Sequence, residues 1–229
     1  MDIANLLKRI GSILAFMYVM FAASVCTGEP QRIWTNDTSV ESAPILNPGK
    51  PGIWINGVGE GFRPRTQTLG FNAGAAYGVL IFGGEERHHL SLLSASYGRM
   101  IGDVKGADSW YRGNLELRGE LFGGVQFNSE TCALIGLTPH VRYNFATGTP
   151  WVPYIDLGVG ITLTGIRAPD LGNSFEFNLQ AVVGVNYFIR DASAISFEGR
   201  YLHLSSAGIY NPNNGVNSIG IFLGVSTFF

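Results

Sequence analysis

Two polar residues near the carboxyl end of the chain have the types that an acyl-transfer site needs. His203 and Ser205 stand two positions apart in a strand-like segment, and residues at this spacing point to the same face of a β-strand. An imidazole beside a serine hydroxyl can take its proton and make the oxygen a nucleophile. The pair is therefore a candidate for nucleophilic catalysis, with His203 as base and Ser205 as nucleophile.

A hairpin that turns near Tyr210 brings further groups to this pair. Its register places Asn217 directly opposite His203, and opposed side chains of antiparallel strands lie within about 5 Å. The amide carbonyl of Asn217 can hold the imidazole in one tautomer. Gly208 can turn its backbone N–H toward a developing oxyanion. The same His and Ser spacing is also typical of an interfacial belt, so a non-catalytic interpretation stays open.

Other residues that suggest chemistry have a structural interpretation. No cysteine or carboxylate stands at metal-ligand spacing from His88, His89 or His140, so we expect neither a metal nor a cofactor. We interpret His88 and His89 as loop or headgroup residues. Several charged residues share one face of their strands and are expected to form a structural ion network: Glu116, Arg118, Glu120 and Glu198.

The elements that must position these residues follow a period of two from residue 68 onward, which is typical of β-strands. Turn-rich stretches separate the segments. The predicted strands cover 68–82, 88–101, 110–126, 132–146, 151–165, 174–190, 193–205 and 216–229.

Odd and even positions differ in character along these strands. Outside the second strand, which is ambiguous, bulky apolar residues take odd numbers and charges take even numbers. An eight-stranded barrel has a lumen barely wide enough for side chains, and the even face, with its glycines and ion pairs, fits it. The sequence therefore predicts an all-β fold, an eight-stranded antiparallel transmembrane β-barrel with a polar, filled lumen. A soluble lipocalin-like barrel with the apolar face inside is the alternative.

The amino terminus predicts export. Residues 10–23 are apolar, follow Lys8 and Arg9, and end at a small-residue cleavage signal, which is typical of a secretory signal peptide. We expect a signal peptide at 1–24, an extended leader at 25–66 and the barrel at 67–229. Both termini of such a barrel are periplasmic, so the connection after Ser205 faces the cell exterior.

Composition excludes several other classes. Charged residues make up 14% of the chain, the net charge is −2 and there are three lysines, so the sequence has no basic surface for nucleic acid. Cys26 and Cys132 are the two cysteines, and we expect no structural disulfide.

The segments 203–218 and 224–229 resemble the carboxy-terminal signature of the PagL-like lipid A 3-O-deacylase family, also called acyloxyacyl hydrolases. Segments 136–149 and 175–180 resemble the same family. The resemblance implies an outer-membrane barrel with a lipid-facing active site that hydrolyses the 3-O-linked acyl chain of lipid A. It implies His203 as base, Ser205 as nucleophile and Gly208 as oxyanion donor.

The resemblance has two departures. The family motif His-x-Ser-Asn has Ser206 here in place of the asparagine, at a position expected to support the oxyanion loop. A glutamate completes the triad in the best-known members, whereas this chain has Asn217 at that spacing.

We therefore predict an enzyme of the bacterial outer membrane, a serine esterase that deacylates lipopolysaccharide, with no metal or cofactor. Its expected partners are lipid A and the membrane, and a homodimer is left open. The alternatives are a non-catalytic structural or adhesive barrel with a degenerate motif, and a lumen-based acyltransferase or ligand binder, which would need catalytic groups at even positions.

Overall fold

The computed structural model describes residues 62–106, 108–128 and 130–229. The predicted signal peptide and all of the predicted leader up to residue 61 lie outside the described residues. No helix within the described ranges is long and apolar enough to cross a membrane. The eight strands are β1 (Gln67–Gly78), β2 (Leu90–Lys105), β3 (Gly113–Gln126), β4 (Ala133–Phe145), β5 (Trp151–Thr164), β6 (Phe175–Arg190), β7 (Ser193–Ser205) and β8 (Val216–Phe228).

The strands form a closed antiparallel barrel in which each strand pairs with its sequence neighbours and β1 pairs with β8. Odd positions face outward, as predicted: Val183 is 68% exposed and Leu223 is 60% exposed. β2 follows the same rule, with Leu92 buried and Leu93 exposed. The outer wall is thus an apolar surface suited to hydrocarbon, and the membrane-barrel prediction is confirmed.

The first predicted strand was too long. It was expected to reach residue 82, but β1 ends at Gly78 and the chain turns at Phe82 and Gly83. Both turn residues have positive φ, 53° at Phe82 and 99° at Gly83. Apolar alternation continues through the segment and concealed this turn.

Charged side chains fill the middle of the lumen. Asp156 accepts hydrogen bonds from Arg118 Nη1 at 2.8 Å and Arg142 Nε at 2.9 Å, and its other oxygen lies 2.7 Å from His140 Nδ1. Arg200 bonds to Glu120 and to Glu198 at 2.8 Å each. Buried charges are tolerated when they are paired in this way, and the predicted structural network is confirmed.

The lumen is polar only in its middle, which refines the prediction of a polar interior. One end is filled by an apolar cluster that includes Phe122, Leu204 and Phe222. The opposite end holds a second cluster, in which the ring of Phe62 packs edge-on against Phe188 and Phe228. Phe62 belongs to the predicted leader, so the last residues before β1 close one mouth of the barrel.

The connections differ in length at the two ends. Those at the end where a loop joins β7 to β8 cover 79–89, 127–132, 165–174 and 206–215. Those at the opposite end cover 106–112, 146–150 and 191–192. We call the end with the longer loops the site end. Longer loops are extracellular in outer-membrane barrels.

Candidate active site

The last two strands bring together the residues predicted to do chemistry. β7 and β8 pair with His203 opposite Asn217, so the predicted hairpin register is confirmed. On the other side, β6 places Leu179 opposite His203 and Phe177 opposite Ser205. The polar group therefore lies on the outer wall, within an apolar surface and beside the loops of the site end.

Ser205, His203 and Asn217 form a continuous hydrogen-bonded chain. The Ser205 Oγ lies 3.1 Å from His203 Nε2, and His203 Nδ1 lies 2.8 Å from Asn217 Oδ1. An amide oxygen only accepts hydrogen bonds, so Nδ1 donates and Nε2 is left to accept from the serine hydroxyl. This tautomer is the one that a general base requires.

The orientation of the Asn217 amide is fixed by two contacts that the sequence analysis missed. Asn217 Nδ2 donates to the carbonyl oxygen of Ile81 at 2.8 Å, and the Tyr201 hydroxyl donates to Asn217 Oδ1 at 2.7 Å. Asn217 is 3% exposed. The sequence offered a way to find Tyr201, since it precedes His203 by two positions and so lies on the same face of the strand. It offered none for Ile81, because Ile81 contributes a main-chain atom from a segment predicted as strand.

The turn after Ser205 contains Gly208, the predicted oxyanion donor. Ala207 and Gly208 have φ of 54° and 84°, and Ile209 N–H closes the turn onto Ser206 O at 3.1 Å. Within the described residues the Gly208 N–H has no hydrogen-bond partner, and a Cβ placed on Gly208 would meet nothing within 4 Å. Gly208 therefore has both a free N–H and open space on its Cβ side, and an oxyanion donor needs a free N–H.

The side chain of Ser206 points away from the outer wall and braces this turn. Its Oγ accepts from Tyr210 N–H at 3.2 Å and lies 2.9 Å from Asn213 Oδ1, which also accepts from Ser206 N–H at 2.7 Å. Ser206 is 1% exposed. The predicted supporting position thus contacts its own loop through Asn213.

A buried carboxylate ties the site-end loops together. The Asp170 carboxylate accepts hydrogen bonds from the backbone N–H of Glu85 at 2.7 Å and of Glu86 at 3.0 Å. The backbone carbonyl oxygen of Asp170 accepts from the Gly215 N–H at 3.2 Å. His88 Nε2 lies 2.8 Å from the same carboxylate. His88 lies in the 79–89 loop, as predicted, but it is 3% exposed and is therefore a buried anchor of the loops and not a headgroup contact.

Gly215 connects this loop assembly to the imidazole. Its φ is 83°, and a Cβ at this position would lie 2.9 Å from His203 Cε1. Only glycine combines this backbone conformation with so close an approach. The loop therefore packs directly against the ring of the base.

The amino-acid sequence of most of the barrel matches a known protein family. The model of the family described as lipid A 3-O-deacylase (PagL) matches residues 94–226, which is more than half of the chain. The chain belongs to the PagL family.

One curated relative and two solved structures are similar to the chain. The lipid A deacylase PagL of Pseudomonas aeruginosa is 32% identical over 91 residues, 38% of this chain, and the match spans half the length of that relative. The crystal structure of the outer membrane enzyme PagL has a TM-score of 0.46 at 21% identity, covering 67% of this chain and 97% of that one. Neisserial surface protein A has a TM-score of 0.50 at 20% identity, covering 71% and 97%, and shares the fold.

The two positions that depart from the family motif, Ser206 and Asn217, both hydrogen-bond to nearby residues. Ser206 stands where the PagL motif has asparagine, and here Asn213 supplies an amide oxygen to the same turn. Asn217 stands where a glutamate is expected, and it is held by Tyr201 and Ile81. Among the described residues, no three His, Cys, Asp or Glu side chains are grouped to hold a metal ion.

Proposed function

We propose that this chain is an outer-membrane serine esterase that hydrolyses the 3-O-linked acyl chain of lipid A. The observation that carries the proposal is the chain from Ser205 through His203 to Asn217, on the lipid-facing wall of a PagL-family barrel. A nucleophile there can meet only a substrate that lies in the membrane. The longer loops at the site end support a position in the outer leaflet, whose lipid is lipopolysaccharide.

The geometry supports acylation in a defined order. His203 Nε2 takes the hydroxyl proton of Ser205 as Oγ bonds to the ester carbonyl carbon. The resulting oxyanion accepts from the Gly208 N–H. His203 then gives its proton to the sugar oxygen at position 3, the carbon–oxygen bond to the sugar breaks, and the acyl chain stays on Ser205.

Deacylation reverses these roles with water. His203 removes a proton from a water molecule whose oxygen attacks the acyl carbon, and the proton returns to Ser205 Oγ as that bond breaks. The free fatty acid and the deacylated lipid A leave. His203 Nδ1–H donates a hydrogen bond to Asn217 Oδ1 throughout. Asn217 therefore keeps the imidazole ring oriented, but as a neutral group it offers no full negative charge to the imidazolium.

Mass spectrometry of lipid A tests the proposal. Cells that express the chain should lose one hydroxyacyl group from lipid A, and cells that express Ser205→Ala at the same surface level should not. An unchanged spectrum with confirmed surface expression would favour the non-catalytic barrel. Removal of an acyl chain from another position would keep the esterase and overturn its 3-O specificity.

The oligomeric state is a separate part of the proposal. A second copy could cover part of the exposed outer wall, as in a homodimer, without changing the chemistry at Ser205. Mass measurement of the protein in detergent, with and without lipopolysaccharide, distinguishes one copy from two.

A further inference from the structure

The connection between β1 and β2 begins by covering Asn217. Val79 N–H donates to Asn217 O at 2.9 Å, which extends the pairing of β1 with β8 by one residue. The chain then turns, and Gly84 N–H donates to Ile81 O at 3.2 Å. The Ile81 carbonyl is therefore shared between its own turn and the amide of Asn217.

Three consecutive apolar side chains at this turn are exposed. Leu80 is 48% exposed, Ile81 is 39% exposed and Phe82 is 80% exposed. We call Leu80–Phe82 the apolar loop. A bulky residue is disfavoured at positive φ, yet Phe82 has φ of 53°. In water, both the exposed ring and this backbone conformation would be unfavourable.

The apolar loop continues the lipid-facing wall. Tyr77, the last outward residue of β1, is paired with Ile219 of β8, and these are 58% and 53% exposed. The loop follows Tyr77 by three residues at the site end. Its apolar surface is thus contiguous with the surface that contacts hydrocarbon.

We propose that the apolar loop inserts among the acyl chains of the outer leaflet and that this contact holds the Ile81 carbonyl on Asn217. The second half of this proposal rests on the proposed function. Lipid contact would then favour the positive φ of Phe82, because a turn with this backbone conformation moves the phenyl ring from water into lipid. The same turn presents the carbonyl that orients the amide.

Rotation of the Asn217 amide shows how the loop acts on the base. With Ile81 O in place, the amide must direct Nδ2 to it and Oδ1 to His203. Without that carbonyl, only the Tyr201 hydroxyl would hold the amide, and because a hydroxyl accepts as well as donates hydrogen bonds, the amide can turn and donate Nδ2–H to His203 Nδ1. Nδ1 would then accept, the ring proton would move to Nε2, and His203 could no longer accept the proton of Ser205.

Phe82→Gly separates this role from a structural one. Glycine relieves the positive φ, so a purely structural turn should become more stable and activity should not fall. Loss of lipid contact should instead lower the rate on lipid A in vesicles by about tenfold, through a misplaced base. Phe127→Ser is the matched control, because Phe127 is also exposed at the site end, at 48%, but has no bond to the site.

A spectroscopic measurement tests insertion without reference to activity. A nitroxide at Phe82→Cys, in the full chain with Cys26 and Cys132 replaced by serine, should be more accessible to oxygen than to a water-soluble nickel complex in lipopolysaccharide vesicles. The same label at Asn128→Cys should show the reverse. Equal access of the nickel complex to both labels, or protection of position 82 by a second copy in detergent, would overturn insertion.

The imidazole tautomer tests the coupling. In ¹⁵N spectra, His203 should carry its proton on Nδ1 in the parent and in Phe127→Ser, and should shift toward Nε2–H in Phe82→Gly. An unchanged tautomer together with an unchanged rate would overturn the coupling. A parent that is inactive on lipid A but inserts its loop would contradict the proposed function and leave the insertion result standing.

Discussion

The lumen and the outer-wall site use polar residues in opposite ways. In the lumen, Asp156 is 1% exposed and contacts Arg118, Arg142 and His140, all within 3 Å. At the site, Ser205 and His203 are half-buried and their partners are neutral. The lumen has the more conspicuous acids and bases, and the ion network at its middle pairs their charges, whereas the candidate site has weaker groups and a serine hydroxyl on the lipid-facing wall.

This difference shows that accessibility decides which polar cluster can do chemistry. Paired charges in a closed lumen reach no substrate, and their desolvation is offset only by one another. A neutral triad tolerates the border of the hydrocarbon better than a charged one. It must then rely on orientation, and the contacts around Asn217 provide it. Changes at the site should therefore affect rate, and changes in the lumen should affect stability.

The largest expected effect comes from the nucleophile. Ser205→Ala should lower kcat/KM on lipid A by roughly 10⁴- to 10⁶-fold, since the acyl-enzyme cannot form. Heat-resistant folding should not change, because Ser205 lies at a strand end. Ser91→Ala is the matched control, because Ser91 is an exposed serine on the outer wall of β2, and it should keep full activity. Should Ser206→Ala abolish deacylation while Ser205→Ala spares it, the nucleophile has been misassigned.

The orienter should have the next largest effect. Asn217→Leu keeps the branched shape of the side chain but removes the acceptor for His203 Nδ1, so the rate should fall by about 10²- to 10⁴-fold, the range for general-base catalysis. Steady-state kinetics on purified protein measures it. Full activity in Asn217→Leu would mean that another group or a water orients His203.

Gly215 tests the packing of the loop against the base. In Gly215→Ala the added Cβ would lie 2.9 Å from His203 Cε1. Displacement of the ring by a fraction of an ångström should lower kcat by about 10²-fold. Gly119→Ala is the control, since a Cβ on Gly119 meets nothing within 4 Å. If the two variants have equal rates, the loop does not position the imidazole.

Tyr201 should have a smaller effect. Tyr201→Phe removes one neutral hydrogen bond to Asn217 while Ile81 still fixes the amide, so kcat should fall by about threefold to tenfold. KM should not change if Tyr201 acts through Asn217. A rise in KM with constant kcat would instead assign Tyr201 to substrate binding.

Sequence patterns were sufficient for the barrel and for the chain of three site residues. The period of two and the odd-even split determine strand number and facing, and the pairing of His203 with Asn217 follows from one turn position. The loop contacts could not be predicted in this way. Ile81 acts through its main chain, and Asp170 joins loops far apart in sequence. Neither kind of contact leaves a periodic signal in side-chain type.

The apolar ends of the lumen also escaped prediction, for a related reason. Parity indicates which way a side chain points but not how far along the barrel axis a polar lumen extends. Phe122, Leu204 and Phe222 have even numbers and face inward like the charges. Their effect is to seal the site end, which leaves the outer wall as the accessible surface for chemistry.

The smallest expected effect on activity comes from the lumen and is the strictest test of the comparison. Asp156→Asn leaves the guanidinium groups of Arg118 and Arg142 with one charge fewer to pair with. Removing one partner of a buried ion cluster destabilises a protein by about 3 kcal/mol or more, so the urea midpoint for unfolding from vesicles should fall. The rate of the folded fraction should stay within about twofold of the parent, because distant independent sites rarely couple. A large loss of kcat in folded Asp156→Asn would show that the lumen charges act on the outer wall, and the separation of the two regions would be wrong.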